Sequence, residues 1–242
     1  PCAAPAASNA GADAMTWAIV PAAGRGRRFG GGTPKQYQKA SGLTLIEHSL
    51  KALLGHPDVD GAMVALAPDD PFWAGWLHMA GKPIYTCIGG AERADSVLSA
   101  LQALPDTVDE DQFVLVHDAA RPCLRGIDLS RLIAIGKADP IGAILAAPVR
   151  DTIKRANAEG RSVMTESREA LWRAMTPQMF RRGGLTRALQ AAMRVGATVT
   201  DEAMAMERLG LKPMLVEGSE DNIKVTTPAD LALAEAILRR ML

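Results

Sequence analysis

Four cations, Arg25, Arg27, Arg28 and Lys35, fall within eleven positions of a glycine-rich run, Pro21-Ala22-Ala23-Gly24-Arg25-Gly26-Arg27-Arg28-Phe29-Gly30-Gly31-Gly32-Thr33-Pro34-Lys35-Gln36. A glycine-rich turn leaving a buried strand exposes backbone N–H groups that cradle phosphate oxygens. Two familiar templates nearly fit and then fail. The Walker loop requires Gly-Lys-Ser/Thr after four spacers, which this run lacks. The dinucleotide fingerprint requires glycine where Phe29 stands. Such a density of positive charge suits a triphosphate better than the pyrophosphate of a dinucleotide. A solvated surface loop is the competing reading.

Further along, Val116-His117-Asp118-Ala119-Ala120-Arg121-Pro122 ends an apolar strand in a lone carboxylate. Mg²⁺ is usually held by one or two carboxylates together with substrate phosphates, and Asp118 suits that duty. His117 reads as a hydrogen-bonded structural histidine rather than a catalytic one. In Gly89-Gly90-Ala91-Glu92-Arg93-Ala94-Asp95-Ser96-Val97 a glycine pair precedes a helix. The glycines permit close approach of backbone to ligand, and Ser96 offers a hydrogen bond to a base; an ordinary capped turn explains them equally well. Asn222-Ile223-Lys224-Val225-Thr226 precedes a helix opened by Thr227-Pro228, a normal cap and first-turn pair, so Lys224 faces the same edge. Thr200-Asp201-Glu202 opens another helix, where capping alone accounts for Asp201.

These segments need a frame. Nearly continuous hydrophobic runs at 17–21, 62–67, 84–88, 113–117, 143–149 and 213–217 predict strands buried on both faces. Helical periods near 44–54, 71–79, 93–104, 128–137, 178–194, 201–209 and 228–241 alternate with them. The alternation predicts a doubly wound, mostly parallel α/β sheet. Ligands in such sheets sit beyond the carboxyl ends of the strands, where the candidate residues fall. Residues 150–171 break the rhythm, with Arg150, Lys154, Arg155, Arg161 and Arg168 and a turn-like Asn-Ala-Glu-Gly. They predict a β-hairpin arm with its tip at Glu159-Gly160, against the alternative of a surface loop.

Composition narrows the classes. The chain has 242 residues, 48% apolar and 22% charged, with 27 basic and 27 acidic side chains. Balanced charge excludes a globally basic nucleic-acid binder, and 4% aromatics argue against base-stacking platforms. No run reaches the roughly 18 apolar residues of a membrane span. Cys2, Cys87 and Cys123 show neither CxxC spacing nor nearby paired histidines, so a reduced cytoplasmic interior without disulfide or zinc is expected. Residues 1–14, rich in alanine and lacking the features of a signal or transit peptide, read as a disordered leader or an appended remnant. Met15 is then a candidate natural start, and residues 15–242 a single domain.

Taken in order, PAAGRGRRF, PKQY, GGAERADSV, VHDAARP, APVRDTIKR, ATVTDEA and EGSEDNIKVTTPADL resemble the 2-C-methyl-D-erythritol 4-phosphate cytidylyltransferases, from about Trp17 to the C-terminus. The resemblance implies a Rossmann-like α/β domain of the nucleotide-diphospho-sugar transferase type, with a protruding arm that interlocks two subunits into a homodimer. It implies transfer of CMP from CTP to 2-C-methyl-D-erythritol 4-phosphate, with Mg²⁺. Carried over residue by residue, Ala22, Ala23, Gly24 and Gly26 form the nucleotide loop, and Arg28 and Lys35 stabilise charge at the α-phosphate. Gly90 and Ser96 recognise cytosine, and Asp118 lies near ribose and magnesium. Thr152, Arg168, Thr200 and Lys224 hold the acceptor, with Arg168 entering the partner's site. Ala91 offers only its backbone, and Arg25 has no assigned role.

The chemistry needs no general base. A phosphate monoester has a second pKa of about 6 and is already a nucleophile near neutral pH. What remains for the protein is positioning and charge stabilisation. Three alternatives stay open at this level. A ribitol-5-phosphate cytidylyltransferase shares the donor, and a sugar-1-phosphate nucleotidyltransferase shares the reaction class. A non-catalytic nucleotide-binding module is the third. The broken glycine fingerprint speaks against a NAD(P)-dependent oxidoreductase.

Overall fold

Strand β1 (Thr16–Pro21) is buried along almost its whole length because both its faces are covered by helices. A computed structural model of the chain describes residues 15–24 and 32–241. Residues 1–14, expected to be a leader, and the candidate residues Arg25, Gly26, Arg27 and Arg28 lie outside the described residues. After β1 come the short strands β2 (Lys39–Ala40) and β3 (Leu43–Thr44), helix α1 (Leu45–Leu54), β4 (Gly61–Leu66), β5 (His78–Met79), β6 (Lys82–Ile88) and α2 (Arg93–Ala103). The middle of the chain forms β7 (Phe113–Val116), α3 (Gly126–Ala138), β8 (Gly142–Pro148), β9 (Ile153–Ala156), β10 (Ser162–Glu166) and β11 (Trp172–Arg181). The remainder is α4 (Arg182–Arg194), α5 (Glu202–Glu207), β12 (Met214–Glu217) and α6 (Pro228–Met241).

Eight strands make one sheet in the order β12-β8-β11-β7-β1-β4-β6-β5. The pairs β1·β4, β1·β7, β4·β6 and β12·β8 are parallel, while β11 runs antiparallel to both β7 and β8. Consecutive strand residues point to opposite faces. Ala18 and Val20 therefore pack with Leu50, Leu53, Leu129 and Leu132 of α1 and α3. Trp17 and Ile19 pack with Val97, Leu101, Leu185 and Leu189 of α2 and α4 on the other side. The expected doubly wound, mostly parallel sandwich is present. So is a hairpin in the 150–171 segment, where β9 and β10 pair antiparallel as a separate two-stranded sheet.

Two local expectations are corrected. The helix expected over 71–79 is irregular chain ending in β5. Gly75 adopts φ +71 and Asp69 φ +51, a left-handed backbone that interrupts a helix. The apolar spacing there serves an edge-to-face pair instead, with the rings of Trp73 and Trp76 5.1 Å apart. The helix expected from 178 begins only at Arg182, because 172–181 is the antiparallel strand β11. Pro177 falls where the pairing of β11 with β8 shifts register, the kind of place a sheet tolerates proline.

Candidate active site

The parallel strands deliver their following turns to one rim, and three of those turns meet there. The turn after β1 contributes Ala22, Ala23 and Gly24, the turn after β6 contributes Gly90, and the end of β7 contributes Asp118. Together with Lys35, Ser96 and Lys224 they line a cavity of about 170 Å³. The glycines are there for space: a Cβ on Gly89 would lie 2.6 Å from the Ala23 Cβ, and one on Gly90 2.2 Å from the Asp95 Cβ. Ser96 is buried and ties the turn to α2, accepting from the Gly90 N–H at 3.2 Å and donating to the Glu92 carbonyl at 3.1 Å. A hydroxyl oxygen has two lone pairs, so one acceptor position remains.

Gln36 organises the first turn. Its buried amide donates to the carbonyls of Ala22 at 2.7 Å and Gly24 at 3.0 Å, so that position 36 is tied back to the turn that leaves β1. The short 3-10 turn Lys35–Tyr37 that carries Gln36 is held in turn by Tyr37, whose hydroxyl donates to Asp70 at 2.8 Å.

Asp118 is the electrostatic centre. Arg93 Nε donates to Oδ1 at 2.9 Å, Lys224 Nζ lies 2.7 Å from Oδ2, and Arg121 Nε stands 3.7 Å from Oδ2. Burial alone would raise this carboxyl, but Arg93, Lys224 and Arg121 hold it well below the usual carboxylate range. Arg93 also forks onto Glu202, with Nη1 2.6 Å from Oε1 and Nη2 3.0 Å from Oε2. Burial works against the Arg93 charge, and Glu202 and Asp118 outweigh it, raising its affinity for the proton.

His117 is fully buried. Its Nε2 faces the Arg121 carbonyl at 3.1 Å, which only accepts, so that nitrogen carries the hydrogen. Nδ1 then accepts from the Thr176 hydroxyl at 3.1 Å, and that hydroxyl oxygen accepts from the Asp118 N–H at 3.0 Å. Burial pushes the imidazole down to about 4, so the ring is neutral.

A second cavity adjoins the first and shares Arg93, Asp118 and Lys224 with it. Thr200 lines it, next to Asp201, whose carboxylate caps α5 through the Met204 N–H and accepts from Gln178 at 2.9 Å. Of the arm residues, Thr152 and Arg168 are exposed and line neither cavity. The Arg168 guanidinium donates to the carbonyl of Arg150 at the arm's base. Among the described residues no three His, Cys, Asp or Glu side chains gather as a metal-binding group. The chain alone thus brings together Ala22, Ala23, Gly24, Lys35, Gly90, Ser96, Asp118, Thr200 and Lys224, and leaves Thr152 and Arg168 apart.

The family model of IspD, 2-C-methyl-D-erythritol 4-phosphate cytidylyltransferase, matches residues 16–240. The chain belongs to this family. It is accordingly a nucleotidyltransferase. A 2-C-methyl-D-erythritol 4-phosphate cytidylyltransferase of Stenotrophomonas maltophilia strain R551-3 is 64% identical over 227 residues, covering 94% of this chain and 98% of that protein. One of Xanthomonas campestris pv. campestris strain 8004 is 64% identical over 219 residues, 90% of this chain and 83% of that protein. Among solved structures, a 4-diphosphocytidyl-2C-methyl-D-erythritol synthase superposes with TM-score 0.80 at 36% identity, over 94% of this chain and 100% of that one. The Francisella tularensis IspD superposes with TM-score 0.78 at 36% identity, over 92% and 99%.

Three residues of this IspD site escaped the sequence. Gln36 and Arg93 stand within quoted motifs, yet nothing in their spacing reveals the loop clasp or the reach to Asp118. Glu202 looks like any acidic residue opening a helix, and its complete burial is a property of the fold. No helix among the described residues is long and apolar enough to cross a membrane.

Proposed function

We infer that the two adjoining cavities take CTP and 2-C-methyl-D-erythritol 4-phosphate, with Arg93, Asp118 and Lys224 between them. The enzyme transfers CMP to the acceptor, giving 4-diphosphocytidyl-2-C-methyl-D-erythritol and pyrophosphate in non-mevalonate isoprenoid precursor biosynthesis. The observation that carries this reading is the shared wall, since two anionic substrates that must meet in line need a junction with well-placed cations on it.

In this reading Ala22, Ala23, Gly24 and Gly26 cradle the triphosphate with backbone N–H groups. Arg28 and Lys35 stabilise the charge that grows at the α-phosphate. Gly90 approaches the cytosine by its backbone, and the spare lone pair of Ser96 accepts from the exocyclic amine. Thr200 and Lys224 hold the acceptor phosphate, joined by Thr152 and Arg168 of a second subunit. The acceptor attacks already ionised, and the neutral, doubly bonded His117 fits a reaction that uses no base at this rim.

The donor set also fits Mg²⁺. Asp118 is a single carboxylate whose oxygens keep further lone pairs beside Arg93 and Lys224, and one carboxylate with substrate phosphates is a common magnesium set. When bound, the ion neutralises phosphate charge. A homodimer through the arm is supported by apolar side chains that stand open on it, Val163 (57% exposed), Met164 (51%) and Leu171 (40%), and by Trp172 (37%) at the start of β11 beside it. We place the reaction in the cytoplasm, in keeping with the free thiols of Cys87 and Cys123.

The test is an acceptor panel. CTP and Mg²⁺ are supplied with 2-C-methyl-D-erythritol 4-phosphate or with ribitol 5-phosphate, and pyrophosphate release is followed. Release with the first alone is expected. Release with ribitol 5-phosphate alone, or CTP binding with no release, would displace the proposed reaction.

A further inference from the structure

Glu202 has no place in the reaction as derived so far, yet it is fully buried and meets Arg93 edge to edge. A buried ion pair is a poor choice for stability alone, because apolar side chains of similar volume serve as well or better. A forked guanidinium–carboxylate contact does something apolar packing does not: it fixes the plane of the guanidinium. Here Nη1 and Nη2 go to Glu202 and Nε goes to Asp118. Those bonds use three of the five N–H donors of an arginine, all of which lie in one plane. The other two have no partner among the described residues, and Arg93 lines both cavities.

We propose that Glu202 is a positioning residue for cytidylyl transfer: it sets the Arg93 guanidinium on the wall between the cavities so that its two spare donors meet substrate phosphate oxygens. The inference rests on the reading of the two cavities given above. Glu202 comes from α5, on the acceptor side beside Thr200, whereas Arg93 opens α2, three residues before Ser96 on the donor side. The pair therefore joins the two half-sites, and disturbing it reaches both substrates. A plain structural cross-link between α2 and α5 would instead affect only how much protein is folded.

Glu202→Gln separates these roles. Its amide oxygen still accepts one bond, but its NH₂ confronts the second guanidinium nitrogen and turns the fork. Steady-state constants are measured per folded enzyme, with thermal midpoints alongside. The expected result is a rise of about tenfold in KM for both CTP and the acceptor, with kcat changing less, the size of one lost charged hydrogen bond. Arg93→Lys, which cannot fork, should behave alike, and the double variant should be no worse than the worse single one. Glu202→Asp, which keeps the charge, should recover part of the loss, and it decides the matter should the glutamine variant fold poorly. Wild-type KM values for both substrates in Glu202→Gln and Glu202→Asp, or additive effects in the double variant, would overturn the proposal. A wild-type protein that releases no pyrophosphate would remove the functional reading instead, so the two failures are distinct.

Discussion

Lys224 Nζ lies 2.7 Å from Asp118 Oδ2, and the carboxylate that it meets is the meeting point of three cations. Removing that single negative charge leaves Arg93, Arg121 and Lys224 facing one another at a buried rim. Asp118→Asn is expected to lower folding stability by about 3 kcal/mol, the scale for breaking a buried pair from one side. Urea denaturation monitored by circular dichroism checks this. An unchanged midpoint would mean that the cations relax into solvent without needing Asp118.

Lys35→Ala and Arg28→Ala are each expected to lower kcat by about 10²–10³-fold, as when a preorganised charge-stabilising group is lost. Lys35 lines the first cavity, proposed above for CTP. Pyrophosphate-release assays on folded protein measure the effect, and near-wild-type turnover in either variant would refute that residue's assignment.

Gln36→Ala removes both bonds that clasp the first turn. The buried Ala22 carbonyl and the more open Gly24 carbonyl lose their donor, so a stability loss of about 1–3 kcal/mol is expected, mainly from Ala22, together with weaker CTP binding. Calorimetric titration with CTP, compared with titration of the acceptor, checks that the loss falls mainly on the donor.

The segment bearing Lys224 is anchored by a cap with a defined pH response. Asp230 Oδ2 accepts from the Thr226 N–H at 2.9 Å, the Thr226 hydroxyl at 2.6 Å and the Thr227 N–H at 2.8 Å, while Thr227 Oγ1 accepts from the Asp230 N–H at 3.3 Å. The hydrogen bonds from Thr226 lead in lowering this carboxyl to about 2. A carboxyl depressed in the native state binds fewer protons there than in the unfolded chain, so its contribution is complete above about pH 4 and disappears as pH falls toward 2. Asp230→Ala should cost about 1 kcal/mol at neutral pH, a normal capping loss at a solvent-facing site. The gap between wild type and variant should close on acidification through that window. A gap independent of pH from 7 to 2 would contradict it.

Arg168→Ala should chiefly weaken acceptor binding. If arms are exchanged in a dimer, mixing Arg168→Ala with Lys35→Ala subunits restores activity, because one site of each mixed pair then holds both native residues. Mixtures that stay as inactive as the separate variants would argue against exchange.

The frame of this molecule was legible where burial leaves a mark on composition. Strands covered on both faces must be apolar throughout, so the strands β1, β4, β7 and β8 stood out as hydrophobic runs. β11 did not, because Pro177, Gln178 and two arginines interrupt its apolar pattern; its last part, 178–181, reads as the start of the helix that follows, and 172–177 carry no strand signal. The segment before β5 misled in the opposite sense, its tryptophans spaced as on a helix while Gly75 turns the chain left-handed. In the site, residues read by type and local spacing (the glycine turns, Lys35, Asp118, Lys224) gather at one rim. Glu202 and Arg93 were invisible as a pair because 109 positions separate them and only the packing of α2 near α5 brings them together.

The reversed direction of β11 has a consequence for how such a catalyst diversifies. β8 departs at the catalytic rim, and β11 re-enters there, so the intervening hairpin begins and ends on the same side of the sheet. Its length and side chains can be rewritten without altering any strand pairing beneath the donor. In the proposed reading, in which the arm helps to hold the acceptor, a new acceptor specificity can be reached by grafting one excursion while the residues proposed for the nucleotide are kept.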